Sequence, residues 1–316
     1  MSRAIALGCG LAAASTYCGA AIFRRWMREK HGVATSLLNY AKLRYRLRGG
    51  WDNSLLLLDF DRTITTAACG TSCHGVIESC AELSVEYRAA TKKLFEKYYP
   101  LETSATLTRE EKIPIMTEWY TQAHTLLLKE PFTPTLLTSA SQNSKAALRP
   151  GFDELHKLAR ENGAPLVVCS AGLGNVVYAL LQHLLPPEEA VHAKDIPIVS
   201  NWLKFAEGTD RLTGFSEPLL HMYNKDGAFI KSQLGAERWE KISSGRDVCI
   251  LLGDGLGDAA MADGLGVEHV LKIGFLNETE PVRVAERLPA FEAAYDAVIL
   301  DDRSFEFVLG LLRGMK

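Results

Sequence analysis

The hydrophobic residues of this chain fall into short solid runs separated by stretches of helical spacing. Six runs have the length and composition of buried strands: 54–60 (SLLLLDF), 165–169 (PLVVC), 196–200 (IPIVS), 247–252 (DVCILL), 269–275 (HVLKIGF) and 296–300 (DAVIL). Residues 150–162, 174–185, 281–293 and 304–313 instead carry apolar positions three and four apart, the period of an amphipathic helix. Strands alternating with helices predict an α/β fold with a parallel sheet covered on both faces. Residues 202–223 break the rhythm, and KFAEGTDRLTGF reads as a hairpin that turns at Glu207, Gly208, Thr209 and Asp210.

No strand run occurs between residues 61 and 164, and the apolar spacing there is helical. Val76 to Tyr98 predicts one helix. Thr108 followed by Glu111 is a capping box that starts a second, reaching Lys129. A third is expected from Thr135 to Leu148, after which Pro150-Gly151 returns the chain to the sheet. An insertion between the first and second strands lies over the carboxyl edge of the sheet, where α/β proteins bind ligands. The expected organisation is therefore a core of residues 35–65 and 150–316, a helical cap of residues 66–149, and a separate segment 1–34.

The first strand run ends in LLLLDFDRT. Residues two apart in a strand share a face, so Asp59, Asp61 and Thr63 are expected to leave the sheet with one aspect. Buried carboxylates are costly unless paired or bound to a metal. A doublet at a strand end thus suggests a divalent cation site, a nucleophile, or both. In a parallel sheet, Ser170-Ala171-Gly172 and the Asp254 and Asp258 of LLGDGLGD reach the same edge, and Lys225 lies in the segment before the latter. Each piece alone is weak. GDGLGD, for instance, lacks the spacing of a dinucleotide site. Their order and placement carry the signal.

Composition narrows the classes. A net charge of −3 over 316 residues gives no electrostatic case for binding a nucleic acid polymer. Seven cysteines, an odd number, suit a reducing compartment. Cys69, Cys73, His74 and Cys80 have the spacing C-x3-C-H-x5-C without a matching second half, and are read as free thiols rather than a zinc site. Residues 4–23 carry no charge and are followed by Arg24, Arg25, Arg28 and Lys30. That pattern reads as a membrane anchor or organelle-targeting segment that leaves the rest of the chain in the cytosol.

The order DFDRT, strand-end serine, lysine and GDxxxD resembles that of the haloacid-dehalogenase-like phosphatases. KYYPLE (97–102), LTREEKIPIMTEWYTQAH (107–124), SNWLKF (200–205), NKDGA (224–228) and GDGLGDAAMADGL (253–265) are similar to the eukaryotic type III cytosolic 5′-nucleotidases, which act on pyrimidine and 7-methylguanosine monophosphates. The resemblance covers residues 35–315 and not the first thirty.

The resemblance implies a Rossmannoid parallel-sheet core with a helical cap and a Mg²⁺-dependent 5′-nucleotidase. Asp59 is then the nucleophile, forming an aspartyl-phosphate, and Asp61 the proton donor and acceptor. Mg²⁺ is held by Asp59, the main-chain oxygen of Asp61, and Asp254. Ser170, the amide of Ala171 and Lys225 hold the phosphoryl oxygens. Asp258 pairs with Lys225 or steadies a metal-bound water, and Thr63 orients the loop. Glu102 reads the base, and Tyr120 is the aromatic contact. Trp119 is read as packing, and His74 and His124 as structural or rim residues.

The chain departs from the family at Ala123, where a serine is usual, and in a shorter loop after Thr63. Both departures fall on the base side of the cleft. The expected substrates are CMP, UMP and 7-methyl-GMP, with a nucleoside as an alternative phosphate acceptor, and the expected state is a monomer. Two other readings stand beside this one: a phosphatase of another small phosphomonoester, and a catalytically silent, membrane-tethered binding protein of the same fold.

Overall fold

The structure is a computed structural model that describes residues 19–104 and 106–315. The strands are β1 (Val33–Thr35), β2 (Ser54–Leu58), β3 (Leu166–Leu173), β4 (Ile198–Asn201), β5 (Leu203–Phe205), β6 (Leu212–Phe215), β7 (Val248–Gly253), β8 (His269–Leu276) and β9 (Ala297–Leu300). Seven form one sheet in the order β1-β9-β8-β7-β2-β3-β4. Every pairing in it is parallel except β1 with β9. The hairpin β5-β6 stands apart, as its turn residues predict. The edge strand β1 has no counterpart among the six sequence runs, because three residues are too few to show a period.

The leucine run explains the centre of the sheet. Leu56 and Leu58 pack into the core on one face, and Leu55 and Leu57 into the core on the other. A strand buried on both faces has no polar alternation, so it reads as a solid run. Each leucine contributes about 2 kcal/mol from its removal from water. On this sheet β2 lies between β7 and β3. The three strands whose ends carry the candidate chemistry are therefore immediate neighbours.

The helices are α1 (Leu37–Arg46), α2 (Cys73–Glu78), α3 (Val85–Glu102), α4 (Arg109–Leu127), α5 (Pro134–Gln142), α6 (Phe152–Glu161), α7 (Gly174–Leu184), α8 (Pro187–Ala190), α9 (Gly227–Leu234), α10 (Ala236–Ser243), α11 (Pro281–Ala294) and α12 (Glu306–Leu312). Helices α2 to α5 fill the interval between β2 and β3. The single helix expected over 76–98 is two helices. Ser84 caps the second by accepting from the Tyr87 amide, and its own amide and hydroxyl donate to Glu130. The third inserted helix stops at Gln142 rather than Leu148, with Asn143 folding back on Ser139. The capping box at Thr108 and Glu111 is present.

No helix of the described residues is long and apolar enough to cross a membrane. Most of the uncharged segment 4–23 lies outside the described residues. Residues 19–26 are helical.

Candidate active site

Strand β2 delivers Asp59 to the carboxyl edge and then stops, so the two-residue period ends at Leu58. Residues Phe60–Ile64 form one irregular turn, with Arg62 in the left-handed region at φ 62°. The expectation that Asp59, Asp61 and Thr63 share a strand face therefore does not hold, because the chain has left the sheet. The turn is fixed by a residue that no motif singled out. Arg149 is completely buried; its Nε donates to the Thr63 main-chain oxygen at 2.8 Å and its Nη1 to that of Arg303 at 2.6 Å. Asp302 neutralises it at 3.0 Å.

Four charged groups meet at this edge. Lys225 is 1% exposed; its ammonium is hydrogen-bonded to the Asp59 carboxylate and donates to Asp258 Oδ1 at 2.8 Å. The other Asp258 oxygen accepts the amides of Asp254 at 3.1 Å and Gly255 at 2.8 Å. That return loop depends on Gly253, since a Cβ there would lie 2.3 Å from the Cβ of Asp258. Asp254 has neither a hydrogen bond nor an ion pair to its carboxylate from the described residues.

Electrostatics follow from this packing. Burial pushes the Asp59 carboxyl up to about 7, with Asp258 and Asp61 adding to the rise and Lys225 opposing it. Burial and the repulsion of Asp59 and Asp258 hold Asp254 far above the ordinary carboxylate range. Burial works against the charge of Lys225, yet Asp258 and Asp59 outweigh it and hold the lysine above its usual value. One ammonium thus faces three carboxylates.

Among the described residues, Asp59, Asp254 and Asp258 are the one group of acidic, cysteine or histidine side chains placed to share a metal ion, their ligand atoms all within 4.8 Å of one another. A hard divalent cation fits such an all-oxygen set and would supply the charge it lacks. Asp258 enters this set although the sequence reading kept it outside the metal ligands. Cys69, Cys73 and Cys80 are free thiols, and with His74 they form no metal group.

Asp61 points elsewhere. Its carboxylate accepts the Cys73 amide at the start of α2, at 3.0 and 3.2 Å. Burial raises its proton affinity and the Cys73 hydrogen bonds lower it. Thr63 is buried, and its hydroxyl has no partner among the described residues. Ser170 does not end β3, which runs on to Leu173 with a register irregularity after Cys169. Its hydroxyl accepts the Gly172 amide at 3.1 Å. Ala171 is buried beside it, and its main-chain oxygen accepts from the Asn201 side chain at 3.0 Å.

The helical insertion contributes the other wall. Glu102 is the last residue of α3 and half-buried; burial raises its carboxyl, and Arg62 and Lys112 pull it back. Tyr120 on α4 lies with its ring 5.7 Å from His74, 6.4 Å from His124 and 6.4 Å from His221. Burial pushes those imidazoles down, His74 and His221 to about 4 and His124 to about 3, so all three are neutral at pH 7. His124 stacks on Phe215 of the hairpin at 3.7 Å. Trp119 stacks on Tyr98 at 5.7 Å, a packing contact within the insertion.

A mostly parallel sheet with a buried aspartate at its central strand end, a helical insertion after that strand and an acidic loop at the end of the neighbouring strand β7 defines a haloacid-dehalogenase-like hydrolase fold. The crystal structure of cytosolic 5′-nucleotidase IIIB bound to cytidine superposes with a TM-score of 0.76 at 27% identity, covering 92% of this chain and 95% of that one. The 7-methylguanosine phosphate-specific 5′-nucleotidase A of Xenopus laevis is 35% identical over 272 residues, 84% of this chain and 89% of the relative. The 7-methylguanosine phosphate-specific 5′-nucleotidase of Homo sapiens is 34% identical over the same length, 84% of this chain and 86% of its own. Residues 61–316 match the family described as pyrimidine 5′-nucleotidase (UMPH-1), and the chain belongs to that family.

Proposed function

We propose that the chain is a Mg²⁺-dependent 5′-nucleotidase that converts nucleoside 5′-monophosphates to nucleoside and phosphate. The observation that carries the reading is the set formed by Asp59, Lys225, Asp258 and Asp254 at the ends of β2 and β7 and in the loop between β6 and α9. Family membership supports the same activity. The catalytic core is residues 35–65 and 150–316, the cap is residues 66–149, and the enzyme works as a monomer.

Asp59 attacks phosphorus in line and becomes an aspartyl-phosphate, which splits one slow displacement into two easier ones. Asp61 gives its proton to the departing 5′-oxygen and later takes one from the attacking water. Its raised proton affinity suits the first role, because a carboxyl that ionises reluctantly still carries a proton to give. Lys225, Ser170 and the Ala171 amide hold the phosphoryl oxygens as charge shifts onto them. Asp258 keeps Lys225 aimed. Thr63 orients the turn. Asp59, the main-chain oxygen of Asp61, and Asp254 would hold Mg²⁺, and the ion would offset the repulsion between an anionic nucleophile and a dianionic phosphate.

On the cap, Glu102 reads the base and Tyr120 packs against it. A carboxylate there suits an exocyclic amine, a ring N–H, or the positive ring of 7-methylguanine. The curated relatives named for 7-methylguanosine phosphate support testing that nucleotide beside CMP and UMP. A relative from Caenorhabditis elegans named putative cytosolic 5′-nucleotidase 3, 32% identical, supports a cytosolic catalytic unit.

The test is phosphate release from CMP, UMP, 7-methyl-GMP, phosphoserine and a sugar phosphate, with and without Mg²⁺, for wild type and Asp59→Asn. Nucleotide turnover that needs both Mg²⁺ and Asp59 supports the proposal. Equal rates on phosphoserine or the sugar phosphate sink the nucleotidase claim, and no release from any compound sinks the enzyme claim.

A further inference from the structure

Tyr223 stands two residues before Lys225 and bridges the core to the helical insertion. Its hydroxyl donates to the main-chain oxygen of Glu102 at 2.7 Å. That oxygen belongs to the last residue of α3, where carbonyls have no partner inside the helix. In the other direction, Arg109 at the start of α4 donates from Nε at 3.1 Å and from Nη2 at 2.9 Å to the main-chain oxygen of Tyr223. The Lys112 ammonium lies 5.3 Å from the centre of the Tyr223 ring and donates to the Ser104 oxygen at 2.7 Å. Both ends of the α3-α4 connection therefore close on one tyrosine.

The core side of that tyrosine is tied down by hydrogen bonds. Its amide donates to His221 Nδ1 at 3.1 Å. Asn201, fully buried at the end of β4, donates to the Leu220 oxygen at 2.8 Å and accepts its amide at 2.9 Å. Asn224 closes the loop by accepting the His221 amide at 2.7 Å. The segment that presents Lys225 is thus linked to Tyr223, and Tyr223 to the main chain of Glu102. Burial first, and the nearby Glu102 charge, push the phenol up to about 12, so it keeps its proton to donate.

We propose that Tyr223 is a positioning residue for substrate specificity, fixing the separation between the phosphate-holding Lys225 and the base-reading Glu102. The proposal rests on the base-reading role given to Glu102 above. A phosphomonoester long enough to touch both groups gains from the fixed spacing, because the binding geometry is set before it arrives. One too short to reach Glu102 gains nothing. Tyr223 touches neither the phosphate nor the reacting atoms and acts through the two residues it separates.

The experiment uses the full chain carrying Tyr223→Phe, which keeps the ring and removes the one hydroxyl, and Arg109→Gln. Steady-state kinetics are measured on CMP and on p-nitrophenyl phosphate, with hydrogen exchange of the amides of residues 106–112. The expected result for Tyr223→Phe is a KM for CMP raised about fivefold, the effect of one ordinary hydrogen bond. On p-nitrophenyl phosphate kcat/KM changes less than twofold, and exchange across 106–112 is faster. Combined with Glu102→Ala, Tyr223→Phe adds nothing further on CMP. A proportional loss on both substrates, or wild-type selectivity in both variants, overturns the Tyr223 proposal and leaves the nucleotidase reading standing. Wild-type protein that releases phosphate from p-nitrophenyl phosphate and from no nucleotide overturns the nucleotidase reading, and the specificity role falls with it.

Discussion

The two ends of the proposed site are built on opposite principles. The phosphate end gathers formal charge, with Asp59, Asp254 and Asp258 around the single ammonium of Lys225. The proposed base end gathers neutral rings, with Tyr120 among His74, His124 and His221 and the Glu102 carboxylate nearby. Main chain holds the first: strand ends set Asp59, and the amides of Asp254 and Gly255 grip Asp258. Side chains crossing between insertion and core hold the second, as with His124 on Phe215 and Tyr223 on Glu102. On the proposed function, the charge that meets the phosphate is placed at the strand ends of the sheet. On the same proposal, base recognition is placed where single side chains set the contact.

If the two ends are separable in this way, perturbing one should leave a distinct signature. The largest effect is expected at the phosphate end: Asp59→Asn should lower kcat by roughly 10⁴-fold or more on every substrate, nucleotide or not, measured as phosphate release. A loss confined to nucleotides would break the comparison. Next comes the ion balance of the same cluster. Lys225→Met leaves Asp59 and Asp258 facing each other without their cation, which should cost about 3–5 kcal/mol of stability. Thermal melts should show that loss in EDTA, with part of it recovered when Mg²⁺ is added. Melting curves that ignore Mg²⁺ in both wild type and variant would remove the metal from the picture.

The base end should respond more mildly and selectively. Glu102→Ala should raise the KM for CMP or 7-methyl-GMP by roughly tenfold to a hundredfold, the worth of a hydrogen bond to a charged group, with a smaller change on p-nitrophenyl phosphate. Equal changes on both substrates would mean that the ends are not separable. The smallest expected effect is a pH dependence of stability. His124 is pushed down to about 3 by burial from an ordinary value near 6.5, so the unfolded chain binds the extra proton between those values. Its contribution is complete above pH 6.5 and is lost as pH falls toward 3, by at most about 1.4 kcal/mol per pH unit. Melting temperatures at pH 7, 6 and 5 measure the summed slope of His74, His124 and His221, and His124→Phe, which keeps the stack on Phe215, should reduce it by one histidine's share.

Much of this was legible along the chain. LLLLDF predicted a strand buried on both faces, and β2 is one, with its leucines divided between two cores. The Thr108 capping box, the β5-β6 turn and the long helical interval were each visible as local patterns. Other features carried no local mark. Arg149, completely buried beneath the turn after β2, looks in sequence like any arginine before a proline. Ser84 splits an otherwise continuous helical spacing, and its amide and hydroxyl both bond to Glu130, 46 residues away. Asp61 was read with the strand, yet its carboxylate turns to the amide of Cys73.

The division follows the range of the forces involved. Strand and helix identity, the carboxyl-edge position of Asp59, and the kinds of residue available for phosphate chemistry depend on neighbours a few positions apart, and the linear pattern specifies them. Which carboxylate meets Lys225, whether Asp258 joins the acidic set, and how Glu102 is spaced from Lys225 depend on packing. The bond from Tyr223 to Glu102 spans 121 residues, and the ion pair from Lys225 to Asp59 spans 166. Such pairs form only once sheet order and cap docking have brought the segments together, and no period in the sequence encodes that meeting.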